Sequence, residues 1–336
     1  MDSDEVIKMG HGAGGRLMRR LIADVFAGAF GTPELAALDD SALVSADGDR
    51  LAFTTDSYVV RPLFFPGGDI GKLAVCGTVN DLAVTGARPV YLTCSFIIEE
   101  GFPVVDLKRV VSSMAAAACE AGVSVVAGDT KVVERGAADG LFVTTSGIGI
   151  FPDGRKPARR PVKPGDAVLI NGAPAVHGIA VVLAREEFNL AAAVESDCAP
   201  LNGLIDDVLA VAPNIAFMRD ATRGGVAAVL NEIAAAEGVV IEIDEVSVPR
   251  DDTVESVCEL LGYDPFYIAN EGKVIIICPA EEAESAMEAI KRHEYGKDAA
   301  IIGRVEEGTS RVIMETAVGG ARILDMPLAE QLPRIC

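Results

Sequence analysis

Apolar and polar positions along this chain switch period repeatedly, and the switches predict a mixed α/β architecture. Leu51-Ala52-Phe53-Thr54-Thr55 reads as a strand that delivers Asp56 at its end. Residues 69–86 form a small, apolar run that reads as a helix carrying Asn80-Asp81. Pro89 to Ile98 reads as a strand, and Val104 to Ala121 as an Ala-rich helix stopped by Gly122. Val123 to Ala127 reads as a strand ending in Gly128-Asp129-Thr130-Lys131, and Leu141 to Phe151 as another. Residues 152–164 then bring four prolines and five Lys or Arg, a candidate domain boundary. Beyond it the pattern restarts with a strand at 167–170 and helices near 177–187, 201–211 and 223–237. A strand at 239–243 and a helix at 253–261 follow. Strands at Phe266–Ala269 and Val274–Cys278, a helix at 280–292 and strands near 299–305 and 310–315 complete it. No repeat of fixed period is visible. The expectation is an α/β chain with mixed sheets and two domains, 1–155 and 156–320, followed by a tail, 321–336.

Composition narrows the function classes. A chain of 336 residues exceeds what one core usually serves. A formal charge of -21 argues against nucleic acid or an anionic membrane as partner, though not against a small nucleotide held by glycine amides, Mg²⁺ and one or two Lys. The apolar runs are too short to span a bilayer. Met-Asp-Ser-Asp-Glu at the start lacks the pattern of a signal peptide. The 7 cysteines are odd in number, form no Cys-x-x-Cys and sit largely in apolar runs, so reduced thiols and a cytoplasmic setting are expected. Three widely spaced His argue against zinc.

Cys336 differs from the other six because it closes the sequence on a tether that Pro333 stiffens. Alone, it reads more readily as an inert end residue than as a reactive thiol. Gly10-His11-Gly12-Ala13-Gly14-Gly15 literally contains Gly-x-Gly-x-x-Gly, but the strand and acid that a dinucleotide fold requires are missing. A glycine loop closing over phosphate and a plain N-terminal loop both remain open.

Asp56, Asp81 and Asp129 each stand at the end of, or within, an apolar segment, where a lone carboxylate is expensive. Asp39-Asp40 and Asp220, in Arg219-Asp220-Ala221-Thr222-Arg223-Gly224-Gly225, share that setting. Each acid alone suits a helix cap or turn equally well. The set, lacking His or Cys neighbours, suits Mg²⁺ with nucleotide phosphates. Glu271 lies between two apolar segments, where it is either a turn acid or a general base of raised pKa, and Lys131 is either a surface charge or a partner to the acids.

These motifs together resemble HypE, a family of hydrogenase maturation factors in the superfamily of aminoimidazole ribonucleotide synthetase and selenophosphate synthetase. The resemblance runs through the glycine loop, Thr54-Thr55-Asp56-Ser57-Tyr58-Val59-Val60, Phe64 to Lys72, Asn80-Asp81-Leu82-Ala83, Gly128 to Val133, Arg219 to Gly225, Asn270-Glu271-Gly272-Lys273 and the terminal Pro-Arg-Ile-Cys. The aspartate motifs belong to the whole superfamily; the terminal tetrapeptide is specific to HypE.

The resemblance implies that the carbamoyltransferase HypF loads a carbamoyl group onto Cys336. ATP then drives its dehydration to a thiocyanate, the source of cyanide for the iron of [NiFe]-hydrogenase, received by a HypC–HypD complex. It further implies Cys336, Glu271 and Lys131 as catalytic residues. Gly12, Gly14, Gly15, Lys72, Asn80, Asp81, Thr130 and Asp220 would bind ATP, and Asp40, Asp56, Asp81, Asp129 and Asp220 would hold Mg²⁺. The implied fold is two-domain, with an N-terminal domain that forms a homodimer through its strands and a flexible C-terminal tail.

One loop departs from the family: Ala175-Val176 precede His177-Gly178 where a Gly-Asp or Gly-Asn pair is usual. His177 is accordingly read as structural. The alternatives are a superfamily kinase or synthetase acting on a free small molecule, with Cys336 incidental, and a non-enzymatic scaffold tethered through Cys336.

Overall fold

In the computed structural model the alternating runs assemble into two sheets, one on each side of the proline-rich stretch; it describes residues 7, 15–30, 39–46, 49–152, 155–185, 192–328 and 331–336. Helix α1 (Arg16–Leu21) continues through a π-helical turn, Ile22–Ala27. The first sheet is built from β1 (Ala42–Ala46), β2 (Asp49–Tyr58), β5 (Arg88–Glu99), β6 (Ser124–Val133) and β7 (Leu141–Ile150). Its order is β1-β2-β7-β5-β6, antiparallel except for the parallel pair β5 and β6. A small hairpin, β3 (Phe64–Phe65) with β4 (Gly68–Asp69), leads into α2 (Ile70–Val84). The Asp69 carboxylate accepts from the N–H groups of Gly71 and Lys72 and starts that helix. Helix α3 (Val104–Ala121) ends at Gly122 in the left-handed conformation, as its position predicts.

The second sheet contains β8 (Ala167–Ile170), β9 (Phe217–Asp220), β10 (Val240–Asp244), β11 (Val274–Cys278), β12 (Ala300–Glu306), β13 (Arg311–Glu315) and β14 (Ala321–Ile323), in the order β14-β13-β10-β12-β8-β11-β9. Its helices are α4 (Val176–Ala184), α5 (Asn202–Val211), α6 (Gly225–Glu237), α7 (Asp252–Leu261) and α8 (Ala280–Arg292).

Helix α2 joins the two halves. Its apolar residues are buried all round, so it has no solvent face. Leu73, Cys76 and Val79 pack in the core beneath the first sheet, while Ala83 and Val84 pack with Leu204 and Ile205 of α5 and Ile276 of β11. Gly77 is where β2 approaches most closely: a Cβ there would stand 2.3 Å from the Tyr58 hydroxyl.

The structure corrects several expectations. Phe266–Ala269 is not a strand; Asp264 accepts from the Phe266 N–H and Pro265 opens a 3₁₀ turn over Pro265–Tyr267. Strand β6 runs on through Gly128–Lys131 to Val133 because β5 pairs with it as far as Glu99. Strands β1, β3, β4, β9 and β14 are additional, all short or at an edge, where the apolar pattern is weakest. Residues 321–323, counted above with the tail, pair with β13.

Candidate active site

The alternation of β2 sends Thr54, Asp56 and Tyr58 to the sheet face that α2 covers. Thr78 and Asp81, three apart on α2, meet them. Thr54 donates to Asp81 Oδ2 at 2.9 Å and contacts the Asp40 carbonyl at 2.9 Å. Tyr58 Oη lies 3.5 Å from both Asp56 Oδ2 and Thr78 Oγ1. Asp220 enters from the second half, at the end of β9. Carboxylate oxygens of Asp40, Asp81 and Asp220 all fall within 4.8 Å of one another. Burial raises the pKa of all three; repulsion from neighbouring acids adds to it at Asp81, where Asp56 is the strongest like charge, and at Asp220, while at Asp40 Arg219 opposes the rise. The counter-charge is the buried Arg219, which pairs with Asp40 at 2.8 Å and with Glu232. The guanidinium of Arg219 is shared between Asp40 and Glu232, and these two ion pairs do not involve Asp81 or Asp56. An oxygen-only donor set with excess negative charge fits a hard divalent cation.

Asp40, Thr54 and Asp220 open onto a cavity of about 840 Å³ lined also by Met18 and Arg19 of α1, Thr222 and Arg223. Gly15 caps the start of α1, and Gly12 and Gly14 lie outside the described residues.

Glu271 reaches the same region by strand pairing. Asp220 on β9 stands opposite Val274 on β11, so the turn before β11 comes beside the end of β9. Glu271 is buried, and its Oε1 has no hydrogen-bond partner. Burial raises its pKa well above the usual carboxylate value, reinforced by Cys198, Asp220 and Asp197 and opposed by Arg223. Its neighbours are fixed around it. The Glu271 N–H donates to Asp197 Oδ1 at 3.1 Å, and Lys273 holds Asp197 Oδ2 at 2.9 Å. A Cβ on Gly272 would lie 1.9 Å from the Asp197 carbonyl, so no other residue fits that turn. A buried carboxyl with an unpartnered oxygen and a raised pKa, beside a carboxylate cluster, is suited to proton transfer at an incoming group.

Several expected site residues fall elsewhere. Asn80, read as an ATP contact, donates to the Ala199 carbonyl at 3.1 Å and accepts from the Leu201 N–H at 2.7 Å. Its amide joins the two halves and does not face the cavity. Lys72 donates to the Gly67 carbonyl at 3.1 Å and lines a separate 400 Å³ cavity beside Cys198. Asp129, Thr130 and Lys131 are exposed on β6, where Lys131 pairs with Asp129 at 2.6 Å and the Thr130 N–H donates to it. Register carries Asp56 across Thr145 and Cys94 to Gly128, three strand spacings or roughly 14 Å away. It also places Asp129 on the sheet face opposite the one that α2 covers. Within one chain, Asp129 and Lys131 therefore do not join the cluster.

The tail is docked. The Val59 N–H donates to the Cys336 carbonyl and the Arg61 N–H to that of Arg334, each at 3.1 Å, so the tail runs antiparallel to the continuation of β2. Ile335 and Leu332 are buried in the first core, and Cys336 packs against it. Three residues, about 10 Å of strand, separate Val59 from Asp56. Sequence reasoning missed Thr54, Arg219, Asn270 and the tail contacts of His177 and Arg185. Only Thr54 carried a signal, standing two positions before Asp56 on a strand.

Residues 38–151 match the N-terminal domain and residues 163–315 the C-terminal domain of the AIR synthase related proteins. The carbamoyl dehydratase HypE of Rhodobacter capsulatus is 52% identical over 337 residues, covering 99% of each chain. A HypE–HypF complex superposes with a TM-score of 0.86 at 52% identity, covering 91% of this chain and 99% of the other. HypE in complex with ATP superposes at 0.80 with 47% identity, covering 98% and 100%. The chain thus belongs to the AIR synthase related proteins and, within them, to the carbamoyl dehydratase HypE family.

Proposed function

We propose that this chain is an ATP-dependent carbamoyl dehydratase of hydrogenase maturation, with Cys336 as the thiol that carries the carbamoyl group. The observation that carries this reading is the docked tail, which brings Cys336 alongside the strand that bears Asp56 in a member of this family. HypF, seen in complex with a close relative, loads the tail.

The chemistry follows from what an amide resists. Its oxygen leaves poorly until it is phosphorylated. The thiocarbamate oxygen attacks the γ-phosphorus of ATP and ADP departs. The nitrogen then gives up two protons as the carbon–oxygen bond breaks, leaving S–C≡N and inorganic phosphate. Glu271, made more basic by burial, takes one proton in its carboxylate form, and the departing phosphate carries the other. Asp40, Asp56, Asp81 and Asp220 would hold Mg²⁺, whose role is to neutralise phosphate charge. Arg219 orients Asp40, and the cavity beside α1 takes the nucleotide.

Asp129 and Lys131 enter this scheme through a second copy. The face that bears them lies opposite α2 and exposes Phe53, Tyr91 and Ile97, and β6 is an edge strand among the described residues. A homodimer stacking these sheets would cover the apolar groups and carry Asp129 and Lys131 toward the partner's site. A HypC–HypD complex is the proposed acceptor of cyanide, and the free cysteines suit a cytoplasmic setting.

The test is intact mass after incubation with HypF, carbamoyl phosphate and Mg-ATP. The wild-type tail should gain a carbamoyl mass and then, only with ATP, lose the mass of one water. Glu271→Gln should accumulate the carbamoyl form, with dehydration slowed by about 10²–10⁴-fold. ATP consumption with an unchanged tail mass would overturn the reading.

A further inference from the structure

Two non-glycine residues among those described have left-handed backbone, Ala175 (φ 71°) and Arg334 (φ 54°). Such conformations persist only where surrounding contacts enforce them. Here the two strained residues flank one contact, that between His177 and the Ile335 carbonyl. Ala175 opens α4 and is pinned there, its N–H donating to Asn270 Oδ1 at 2.7 Å, while the Gly178 N–H donates to the Ala269 carbonyl at 3.0 Å. That fixes the first turn of α4 and aims the buried His177 at the tail.

A carbonyl oxygen can only accept, so at 2.8 Å from Ile335 O the Nε2 of His177 bears the hydrogen. In the neutral ring Nδ1 then accepts from Ser196 Oγ at 2.8 Å. Ser196 Oγ in turn accepts the Cys198 N–H at 3.1 Å. Burial keeps the imidazole neutral, its pKa below the ordinary value, with Asp197 acting in the other direction. The Phe65 ring meets His177 edge-on. The other tail contacts lie nearer the surface. Arg185 donates to the Pro333 and Arg334 carbonyls, and Arg334 pairs with Asp139. His177 alone among these side chains is fully buried, and it holds the residue adjoining Cys336.

Accepting the carbamoyl reading, we propose that His177 is a positioning residue that latches the tail for dehydration and must release it for loading. It touches none of the reacting atoms. Its N–H fixes the Ile335 carbonyl, and through it the approach of the Cys336 thiol, on the same segments (196–198 and 269–270) that bracket Glu271. The strained turn at Arg334 opposes docking, so the buried His177 bond and Ile335 work beside the backbone bonds from Val59 and Arg61 and the Arg185 contacts, and losing the His177 bond loosens the tail.

This assignment predicts opposite changes in two half-reactions. His177→Phe keeps an aromatic ring beside Phe65 but removes the donor; His177→Gln keeps an N–H near the position of Nε2. In His177→Phe, alkylation of Cys336 by a maleimide should rise about tenfold, read on the tail peptide because Cys119 is also exposed. Loading by HypF should be unchanged or faster, and ATP-driven loss of water from a preloaded tail should slow about tenfold. His177→Gln should restore both toward wild type at equal thermal stability. Parallel decline of loading and dehydration, following the melting temperature in both variants, would overturn the latch. So would alkylation unchanged in a folded His177→Phe. A wild-type tail that HypF never carbamoylates would instead defeat the carbamoyl reading, while the alkylation arm still decides whether His177 holds the tail.

Discussion

Asp81 and Asp129 occupy similar surroundings in the sequence and opposite ones in the fold. Asp81 faces β2 from a helix with no solvent side, and burial and three like charges raise its pKa. Asp129 lies exposed on an edge strand, and its ion pair with Lys131 lowers its pKa. An apolar segment with an acid at its end marks a site, but one chain can supply only the acids that share a face. The buried group has to be neutralised by something that arrives, whereas the exposed group is already solvated and paired with Lys131 and joins a site only if a second copy covers it.

The strongest way to break this contrast is complementation in trans. Asp81→Asn and Asp129→Asn should each abolish dehydration. Mixed after unfolding together and refolding, they should recover about a quarter of wild-type activity, because half the dimers are mixed and each has one intact site. No recovery would place both residues in one chain's site, and an active Asp129→Asn would place Asp129 outside the reaction.

A smaller effect sharpens the same point. In chelator, Asp81→Asn should raise stability by about 1 kcal/mol, since it removes one member of a repelling cluster. Differential scanning calorimetry with and without Mg²⁺ should show the wild type gaining from the ion and the variant gaining little. A variant less stable than wild type in chelator would mean that the cluster is not under repulsive load.

The smallest expected effect is in pH. Folding raises the pKa of Asp81 and Asp220 above the ordinary 3.8, so the native state keeps protons that the unfolded chain has released. Between those values stability falls as pH rises. His177 has the opposite sign, its lowered pKa withdrawing stability below 6.5. Metal-free wild type should therefore lose stability relative to Asp81→Asn as pH rises above the ordinary 3.8, a comparison in which the His177 contribution cancels. A stability difference between the two that does not change with pH would contradict the carboxylate assignment.

Much of the site was legible because acids rarely end apolar segments without a reason. Asp40, Asp56, Asp81, Asp220 and Glu271 could all be picked out that way. What they are paired with could not be, because pairing depends on which strands lie side by side. Arg219 looked like any charge next to an acid until β9 lay against β11. Asn80 looked like a ligand contact because a buried amide and a binding amide are the same residue in a sequence. His177 was read as structural, and the Ile335 carbonyl it meets lies 158 positions away. The strand expected at Phe266–Ala269 failed for a local reason, since Asp264-Pro265 sets a turn that the apolar run does not reveal.

Helix α2, buried on every side, also bears on how the chain is made. Its outer end, Ala83 and Val84, packs against α5 and β11, which a ribosome delivers more than a hundred residues later. The first sheet can therefore form early around a helix with one end still wet, and it becomes a finished domain only when residues 199–211 arrive and the Asn80 amide finds the backbone of Ala199 and Leu201. Synthesis arrested between the halves would leave a sticky intermediate, and the long interval before α5 is when this protein most needs a chaperone.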